Sequence, residues 1–131
     1  MKKQGILNER VSAVLARLGH TDWLAIADCG LPIPDGVERI DLALVQGIPR
    51  FQDVVQAIAS ELVVEKVILA QETQSHNPDC YRFLTEQFGD VPVEEISHEE
   101  LKRRLKAVKA VIRTGEATPY ANVILQAGVA F

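Results

Sequence analysis

Apolar residues along the chain follow two patterns that alternate. After Asn8, a favourable N-cap residue, they recur with the spacing i, i+3, i+4, i+7 at Val11, Val14, Leu15 and Leu18. Gly19 ends this run, so the pattern predicts a first amphipathic helix. Residues 24–30 (LAIADCG) form a short apolar run without a helical period, which predicts a strand buried on both faces.

The same two patterns continue along the rest of the chain. Further strands are predicted over residues 40–47, 66–73 and 111–115, with a loop at 31–39 and a short extended piece at 91–96. Further helices are predicted to begin at Pro49, Asn77-Pro78 and Ser97, and to end near Leu62, Gly89 and Ala110. Ser97 and Glu100 also have the spacing of a capping box.

Apolar strands that alternate with amphipathic helices are typical of an α/β domain. We expect a single three-layer domain over residues 1–131, with a mainly parallel sheet and helices on both of its faces. The apolar C-terminal stretch VILQAGVAF is either a central strand or a buried subunit contact. Ligands of such sheets bind beyond the carboxyl ends of the strands, which points to the loops at 28–30, 46–50, 72–77 and 114–120.

Composition and charge narrow the function classes. Of 131 residues, 47% are apolar and 24% are charged, and the net charge is −4, so we expect no nucleic-acid partner, which usually requires a basic surface. No apolar run approaches the roughly 20 residues of a membrane span, so we expect no membrane partner. The start MKKQGILNERVSAVL is not expected to act as a signal peptide. Two cysteines without a disulfide or zinc pattern suit a reducing compartment, so the expected location is the cytoplasm.

Motifs for bound cofactors are missing from the sequence. The first strand leads into DCGLPIPDG rather than G-x-G-x-x-G, so the fold would be Rossmann-like without a dinucleotide site. Neither a P-loop nor the G-x-S-x-G nucleophile elbow occurs. His98-Glu99 begins like H-E-x-x-H, but Lys102 stands where the second zinc ligand would be. We therefore expect no metal and no cofactor, which leaves acid–base chemistry by side chains.

Three polar residues lie at the ends of predicted elements. His20 follows the first helix, where orphan carbonyls favour a protonated imidazole, although a surface capping histidine has the same position. Asp28 ends an otherwise apolar strand at the edge where ligands bind, although it also fits an aspartate that fixes the next turn. His98 lies in the first turn of its helix, where the dipole disfavours a proton, and it is either an acceptor or a solvated histidine.

Tyr120 and Asn122 are two residues apart in an extended segment, so their side chains point to the same side. A phenol and an amide offer the donors and acceptors that read sugar hydroxyls, although a tyrosine at a strand edge also buries its ring. His76 is a second-rank candidate, and Cys29 and Cys80 are interpreted as buried, unreactive thiols. The basic residues of the last helix are interpreted as a solvated face: Lys102, Arg103, Arg104, Lys106 and Lys109.

Three stretches of the sequence carry a family resemblance: MKKQGILNERVSAVLARLGHTDWLAIADCGLPIP, VQGIPRF and TGEATPYANVIL. They resemble the family of ribose pyranases and fucose mutarotases, and they are nearer to its ribose pyranases. The resemblance covers essentially the whole chain. It implies a cytoplasmic isomerase that interconverts the β-pyranose and β-furanose forms of D-ribose. It also implies a homodecamer of two stacked pentameric rings, with sites between neighbouring subunits.

The resemblance also assigns roles to particular residues. The proton donor falls on the histidine of ARLGHTDW, which is His20. Substrate contacts fall on Asp28, on His98 and on the segment Tyr120, Ala121 and Asn122. Ring interconversion by a histidine needs neither a metal nor a coenzyme, in agreement with the motifs that the chain lacks.

Two other functions remain open from the residues alone. A non-catalytic sugar-binding accessory protein of ribose uptake would use the same polar side chains without a titrating histidine. A hydrolase with Cys29 as its nucleophile is a weaker alternative.

Overall fold

A computed structural model describes all 131 residues. The strands are β1 (Trp23–Ala27), β2 (Glu38–Asp41), β3 (Val64–Ala70), β4 (Val93–Ile96), β5 (Ala110–Arg113) and β6 (Val123–Ala127). The helices are α1 (Glu9–Arg17), α2 (Phe51–Ala59), α3 (Gln71–His76), α4 (Pro78–Phe88) and α5 (His98–Arg104), which a 3₁₀ turn (Leu105–Ala107) follows.

The six strands form one sheet in the order β2-β5-β1-β6-β3-β4. β6 runs antiparallel to both of its neighbours, β1 and β3, whereas the other pairs are parallel. The expected mainly parallel sheet is therefore confirmed. The apolar C-terminal stretch contributes a central strand, which is one of its two predicted places.

Helices cover both faces of the sheet, as predicted. Because side chains alternate along a strand, Leu24 and Ile26 of β1 face one core while Ala25 and Ala27 face the other. The larger core packs the sheet against α1, α2 and α4, and the smaller core packs it against α5 and the 3₁₀ turn. These layers make the three-layer α/β domain that the sequence predicts.

Three predicted helix starts are confirmed by their caps. The side chains of Asn8, Asn77 and Ser97 accept hydrogen bonds from backbone amides inside α1, α4 and α5, respectively. The capping box at Ser97 is only half formed, because the carboxylate of Glu100 turns to Arg103 and Arg104. These caps fix where each helix leaves the edge of the sheet.

Several predicted element ends are wrong. The helices predicted to end near Leu62 and Ala110 end at Ala59 and, with the 3₁₀ turn, at Ala107, and the strand predicted over 111–115 ends at Arg113. The strand predicted over residues 40–47 ends at Asp41, whose carboxylate accepts the amide of Ala43 and turns the chain. The strands predicted over 24–30 and 66–73 end at Ala27 and Ala70. The helix predicted from Pro49 begins two residues later, after a cis Ile48–Pro49 peptide.

No helix of the fold is both long enough and apolar enough to cross a lipid bilayer.

Candidate functional site

The reversed direction of β6 brings two predicted site residues together. Asp28 directly follows β1 at the carboxyl edge of the sheet, and Asn122 directly precedes β6 at the same edge. The backbone amide of Asp28 donates to Oδ1 of Asn122 (2.9 Å), and Nδ2 of Asn122 donates to Oδ2 of Asp28 (3.1 Å). Asn122 is 1% exposed, so this pairing is a fixed part of the fold.

The carboxylate of Asp28 is held in a partly buried turn. Its Oδ1 accepts the amide of Gly30 (2.9 Å), which is the turn that the sequence offered as the plainer role of Asp28. Burial raises the pKa of Asp28, and the hydrogen bonds from Gly30 and Asn122 and the nearby His98 oppose that rise only in part. Asp28 therefore combines a structural turn with a carboxylate of altered acidity.

His98, which lies near this carboxylate, belongs to a group of three packed rings. The ring of Tyr120 packs edge-on against the imidazole of His98, with 5.0 Å between centroids, and also lies 5.3 Å from the ring of His76. Nδ1 of His98 is buried and has no hydrogen-bond partner within the chain. A buried imidazole nitrogen of this kind is satisfied when a ligand supplies the missing partner.

The segment before β6 is held in an unusual backbone conformation. Tyr120 has φ of 57°, in the left-handed region that few residues other than glycine adopt. Thr73 donates from Oγ1 to the carbonyl of Tyr120 (2.9 Å), and Asn77 donates from Nδ2 to the carbonyl of Pro119 (2.8 Å). Ala121, the remaining residue of the predicted segment, is buried between Tyr120 and Asn122.

Glu72 is a residue of this site that sequence reasoning did not single out. Both of its carboxylate oxygens accept the backbone amide of His98, each at 3.1 Å. This contact joins the start of α3 to the start of α5 and sets the position of the His98 ring. The only sequence signal was the place of Glu72 in one of the loops expected at the carboxyl edge.

An open pocket of about 300 Å³ lies beside Asp28. That volume is at the lower limit of small-molecule sites. It is lined by Asp28, Cys29, Gly30, Gln46, Glu116, Ala117, Thr118 and Pro119. Residues from three of the four loops expected at this edge therefore meet around one pocket.

His20 lies at the other edge of the sheet. The amide of its neighbour Thr21 donates to the carbonyl of Ala127, where β6 ends (2.8 Å). A strand of five residues spans about 16 Å, so β1 separates His20 from Asp28 within one chain. The His20 side chain is 55% exposed, and its Nε2 is hydrogen bonded to Oε2 of Glu65 (2.9 Å).

The remaining candidates have ordinary roles in the fold. Burial raises the pKa of the Cys80 thiol to about 12, as expected for an unreactive cysteine. The half-buried thiol of Cys29 makes no hydrogen bond, so no neighbouring group activates it as a nucleophile. Four basic residues of the α5 region pair with carboxylates, as expected of a solvated face: Lys102, Arg103, Arg104 and Lys109.

No group of three or more histidine, cysteine or acidic side chains has a geometry that could hold a metal ion. The side chains that meet at the carboxyl edge are instead a carboxylate, an amide, a phenol and two imidazoles. Together they can donate and accept hydrogen bonds to a small polyhydroxylated molecule.

The fold and this cluster define a small α/β protein with polar side chains gathered at the carboxyl edge of its sheet. The model of the RbsD / FucU transport protein family matches residues 1–130. This chain belongs to that family.

Two relatives are named D-ribose pyranase and match the whole chain. The protein of Geobacillus thermodenitrificans is 56% identical over 131 residues, which are 100% of this chain and 99% of the relative. The protein of Bacillus velezensis is also 56% identical, over 100% of both chains.

Solved structures give the same picture. The structure of Bacillus subtilis RbsD complexed with D-ribose superposes with a TM-score of 0.97, at 56% identity over 100% of both chains. The fucose mutarotase of Streptococcus pneumoniae, in complex with L-fucose, has a TM-score of 0.82 at 19% identity over 95% of each chain. The second match shows that the fold is shared.

Proposed function

We propose that this chain is an isomerase that interconverts the β-pyranose and β-furanose forms of D-ribose. The observation that carries the proposal is the cluster of Asp28, His98, Tyr120 and Asn122, which offers an uncharged polyol matched donors and acceptors. The full-length relatives named D-ribose pyranase and the relative complexed with D-ribose support it.

The reaction changes the size of a hemiacetal ring. A base takes the proton of the anomeric hydroxyl while an acid protonates the ring oxygen, and the bond from the anomeric carbon to that oxygen breaks. The open-chain aldehyde then closes on another hydroxyl, which loses a proton while the carbonyl oxygen gains one. General acid–base catalysis of such steps contributes about 10²–10⁴ in rate, which corresponds to about 3–5 kcal/mol.

The side chains divide these tasks. His20 is the proposed proton donor, which becomes a base when the roles reverse on ring closure. Asp28 accepts a sugar hydroxyl or orients the reacting group, and its altered acidity is consistent with work near the reacting atoms. His98 and Tyr120 hold hydroxyls, with Nδ1 of His98 as the atom that needs a partner, and the buried amide of Asn122 contributes to substrate binding through its contact with Asp28. Ala121 contributes through its buried backbone.

His20 completes this site from a neighbouring subunit. In one chain β1 separates it from Asp28, while its exposed imidazole is free to reach another chain. The acid of one subunit and the binding cluster of the next would then form one site. Such a contact joins two different surfaces and closes into a ring when its rotation allows.

Exposed apolar side chains lie at both edges and support this head-to-tail contact. Near the carboxyl edge, Leu44 is 77% exposed, and Val45 and Ile48 are more than half exposed. Near His20, Val63 and Val129 are exposed beside the end of β6. Burial of both groups would stabilise the assembly, which we propose is the decamer of two stacked pentamers implied by the resemblance.

Two free cysteines and the absence of a cofactor motif in the sequence support action in the cytoplasm on the free sugar.

The test is NMR saturation transfer on D-ribose with and without the protein. The wild-type chain is expected to speed exchange between pyranose and furanose signals. His20→Ala should reduce the catalysed exchange by about 10²-fold or more while the fold and ribose binding remain. Full exchange in this variant would overturn the role of His20.

The same measurement separates the isomerase from a sugar-binding accessory protein. The accessory function would give ribose-dependent chemical-shift changes in the protein without faster exchange of the sugar signals. That result would overturn the proposed activity and leave the binding cluster intact.

A further inference from the structure

His20 lies at the end of a hydrogen-bond network that begins at Trp23. The indole Nε1 of Trp23 donates to Oε1 of Gln126 (2.9 Å), and Nε2 of Gln126 donates to Oε1 of Glu65 (2.8 Å). The other oxygen of Glu65, Oε2, is 2.9 Å from Nε2 of His20. Each of the two carboxylate oxygens of Glu65 therefore has one partner.

The local backbone places Glu65 for this contact. The pairing of β3 with β6 changes register between Val64 and Lys66, so Glu65 is the extra residue of a β-bulge. Bulges redirect a side chain and are common next to active sites. Gly128 packs closely on Glu65, since a Cβ at position 128 would lie 3.2 Å from the Glu65 Cβ.

Trp23 fixes the direction of every hydrogen bond in this network. An indole nitrogen can only donate, so the amide oxygen of Gln126 must face Trp23 and its NH₂ group must face Glu65. Hydrogen bonds from Gln126 and His20 lower the pKa of Glu65, which keeps it an ionised acceptor. The nitrogen of His20 that faces an ionised carboxylate must carry a proton.

We propose that Glu65 is a positioning residue that fixes the tautomer of His20, so that Nε2 carries the proton and Nδ1 exchanges protons with the sugar. Nδ1 of His20 makes no hydrogen bond within the chain and is available to a ligand. The inference rests on the proposed role of His20 in ring interconversion. A carboxylate that orients a catalytic imidazole is a general device of acid–base sites.

The decisive variant is Glu65→Gln. Because Gln126 still presents its NH₂ group, the oxygen of a glutamine at position 65 must turn to Gln126, and its own NH₂ group then faces His20. Nε2 of His20 becomes an acceptor, and the proton of the neutral ring moves to Nδ1. An imidazole in the wrong tautomer loses most of its catalytic effect, so the exchange rate should fall about 10²-fold or more.

The tautomer of His20 distinguishes a positioning role of Glu65 from a purely structural role, because only the positioning role would change it. Magic-angle-spinning ¹⁵N NMR on histidine-labelled protein distinguishes protonated from unprotonated ring nitrogens, and the chain has three histidines. The His20 signals are identified by their loss in His20→Ala. At alkaline pH, where the ring is neutral, the wild type should show Nε2–H and Glu65→Gln should show Nδ1–H.

A double variant tests the direction of the hydrogen bonds. In Glu65→Gln/Gln126→Leu, the side chain at position 126 no longer donates a hydrogen bond to position 65. The side-chain oxygen at position 65 can then accept from Nε2 of His20. The Nε2–H form should reappear, and exchange should be faster than in Glu65→Gln alone.

Glu38→Gln is the matched control, because Glu38 has nearly the same exposure as Glu65 (33% against 32%) and also pairs with cations, Arg10 and Arg17. It should change neither the His20 tautomer nor the exchange rate. Wild-type exchange in a folded Glu65→Gln, or Nδ1–H in the wild type, would overturn the role of Glu65. If His20→Ala keeps full exchange, the proposed role of His20 fails and that of Glu65 with it, whereas a wild-type chain that does not speed exchange would overturn the proposed function itself.

Discussion

Asp28 shows how one residue serves both the fold and the site. It closes the turn after β1 through Gly30, and it pairs with Asn122 at the start of β6. Burial nevertheless raises its pKa, because the partly buried turn disfavours the charged form more than its hydrogen bonds favour it. The ionised carboxylate therefore reduces the stability of the chain.

This raised pKa predicts a pH dependence of stability. Above about pH 4, where unfolded aspartate ionises, the folded chain still retains the Asp28 proton, so the native state binds more protons than the unfolded one. The contribution of Asp28 to the free energy of unfolding falls as the pH rises from about 4 to the raised pKa of Asp28 in the folded chain. The difference in free energy of unfolding, Asp28→Asn minus wild type, should rise with pH there.

Urea denaturation of both chains from pH 4 upward measures this difference. Asp28→Asn should also slow catalysed ribose exchange at neutral pH. Expressed as a free energy of activation, this loss should exceed the change in the free energy of unfolding. A stability difference that stays constant with pH would contradict the burial of an acid with raised pKa.

Gly115 lies where a neighbouring backbone leaves no room for a Cβ atom. A Cβ at this position would overlap the backbone of Ile48, in the loop that presents the exposed apolar side chains. Gly115→Ala should reduce the free energy of unfolding by about 1–3 kcal/mol, as overpacking does. Gly19→Ala, whose Cβ would lie 3.6 Å from Oδ2 of Asp22, is the control and should have a much smaller effect in urea denaturation.

At the scale of single residues, the sequence predicted which side chains gather at the carboxyl edge but not what holds them. Asp28 could be chosen because it ends an apolar run, and Asn122 because it lies two residues from Tyr120. Glu65 could not, because its partner His20 is 45 positions away and the β-bulge that presents it has no sequence signature. Contacts between distant elements depend on strand order, which a single sequence does not specify.

Among the elements, the short helix α3 positions residues of the proposed binding cluster. Its first turn holds the backbone of His98 through Glu72 and the carbonyl of Tyr120 through Thr73. The residue that follows it, Asn77, caps α4 and also holds Thr118 and Pro119. The helix α3 thus fixes the rings of Tyr120 and His98 against each other.

Thr73→Val tests this role of α3. Valine keeps the shape of the fully buried threonine but leaves the carbonyl of Tyr120 without its donor, which should cost about 1–2 kcal/mol of stability. Because Tyr120 then moves relative to His98, KM for ribose should rise more than kcat falls.

Thr85→Val is the matched control, since its hydroxyl donates only to the carbonyl of Arg82 on the surface of α4. Chemical denaturation and the dependence of exchange on ribose concentration give the two readouts. An unchanged KM in a folded Thr73→Val chain would contradict the role of α3.

Two of the predicted strands are too long at the carboxyl edge of the sheet. The patterns predicted strands through residues 42–47 and 71–73, where the chain in fact turns at Asp41 and enters α3. Residues 42–45 (LALV) are apolar and resemble a continuing strand, whereas residues 71–73 (QET) are polar and begin α3. Helix starts were predicted better, because Asn8, Asn77 and Ser97 announce them by their caps.

For the whole molecule, the central place of β6 explains the distribution of the proposed site. β6 begins at the binding cluster and ends beside His20 and Glu65, so the two halves of the site lie at opposite edges of one sheet. The sequence predicted the sheet and its layers, but the antiparallel direction of β6 followed only from the structure. Because β1 separates His20 from Asp28 within one chain, two chains must meet if His20 is to reach the sugar.

Mixed assemblies of two site variants show whether neighbouring chains share one site. His20→Ala chains keep the binding cluster, and Asp28→Asn chains keep the histidine, so each alone should exchange ribose much more slowly than the wild type. When equal amounts are unfolded together and reassembled, about one quarter of head-to-tail contacts should join an intact His20 to an intact Asp28. Ribose exchange should therefore recover to about a quarter of the wild-type rate, whereas a mixture that stays as inactive as its separate components would contradict a site shared between neighbouring chains.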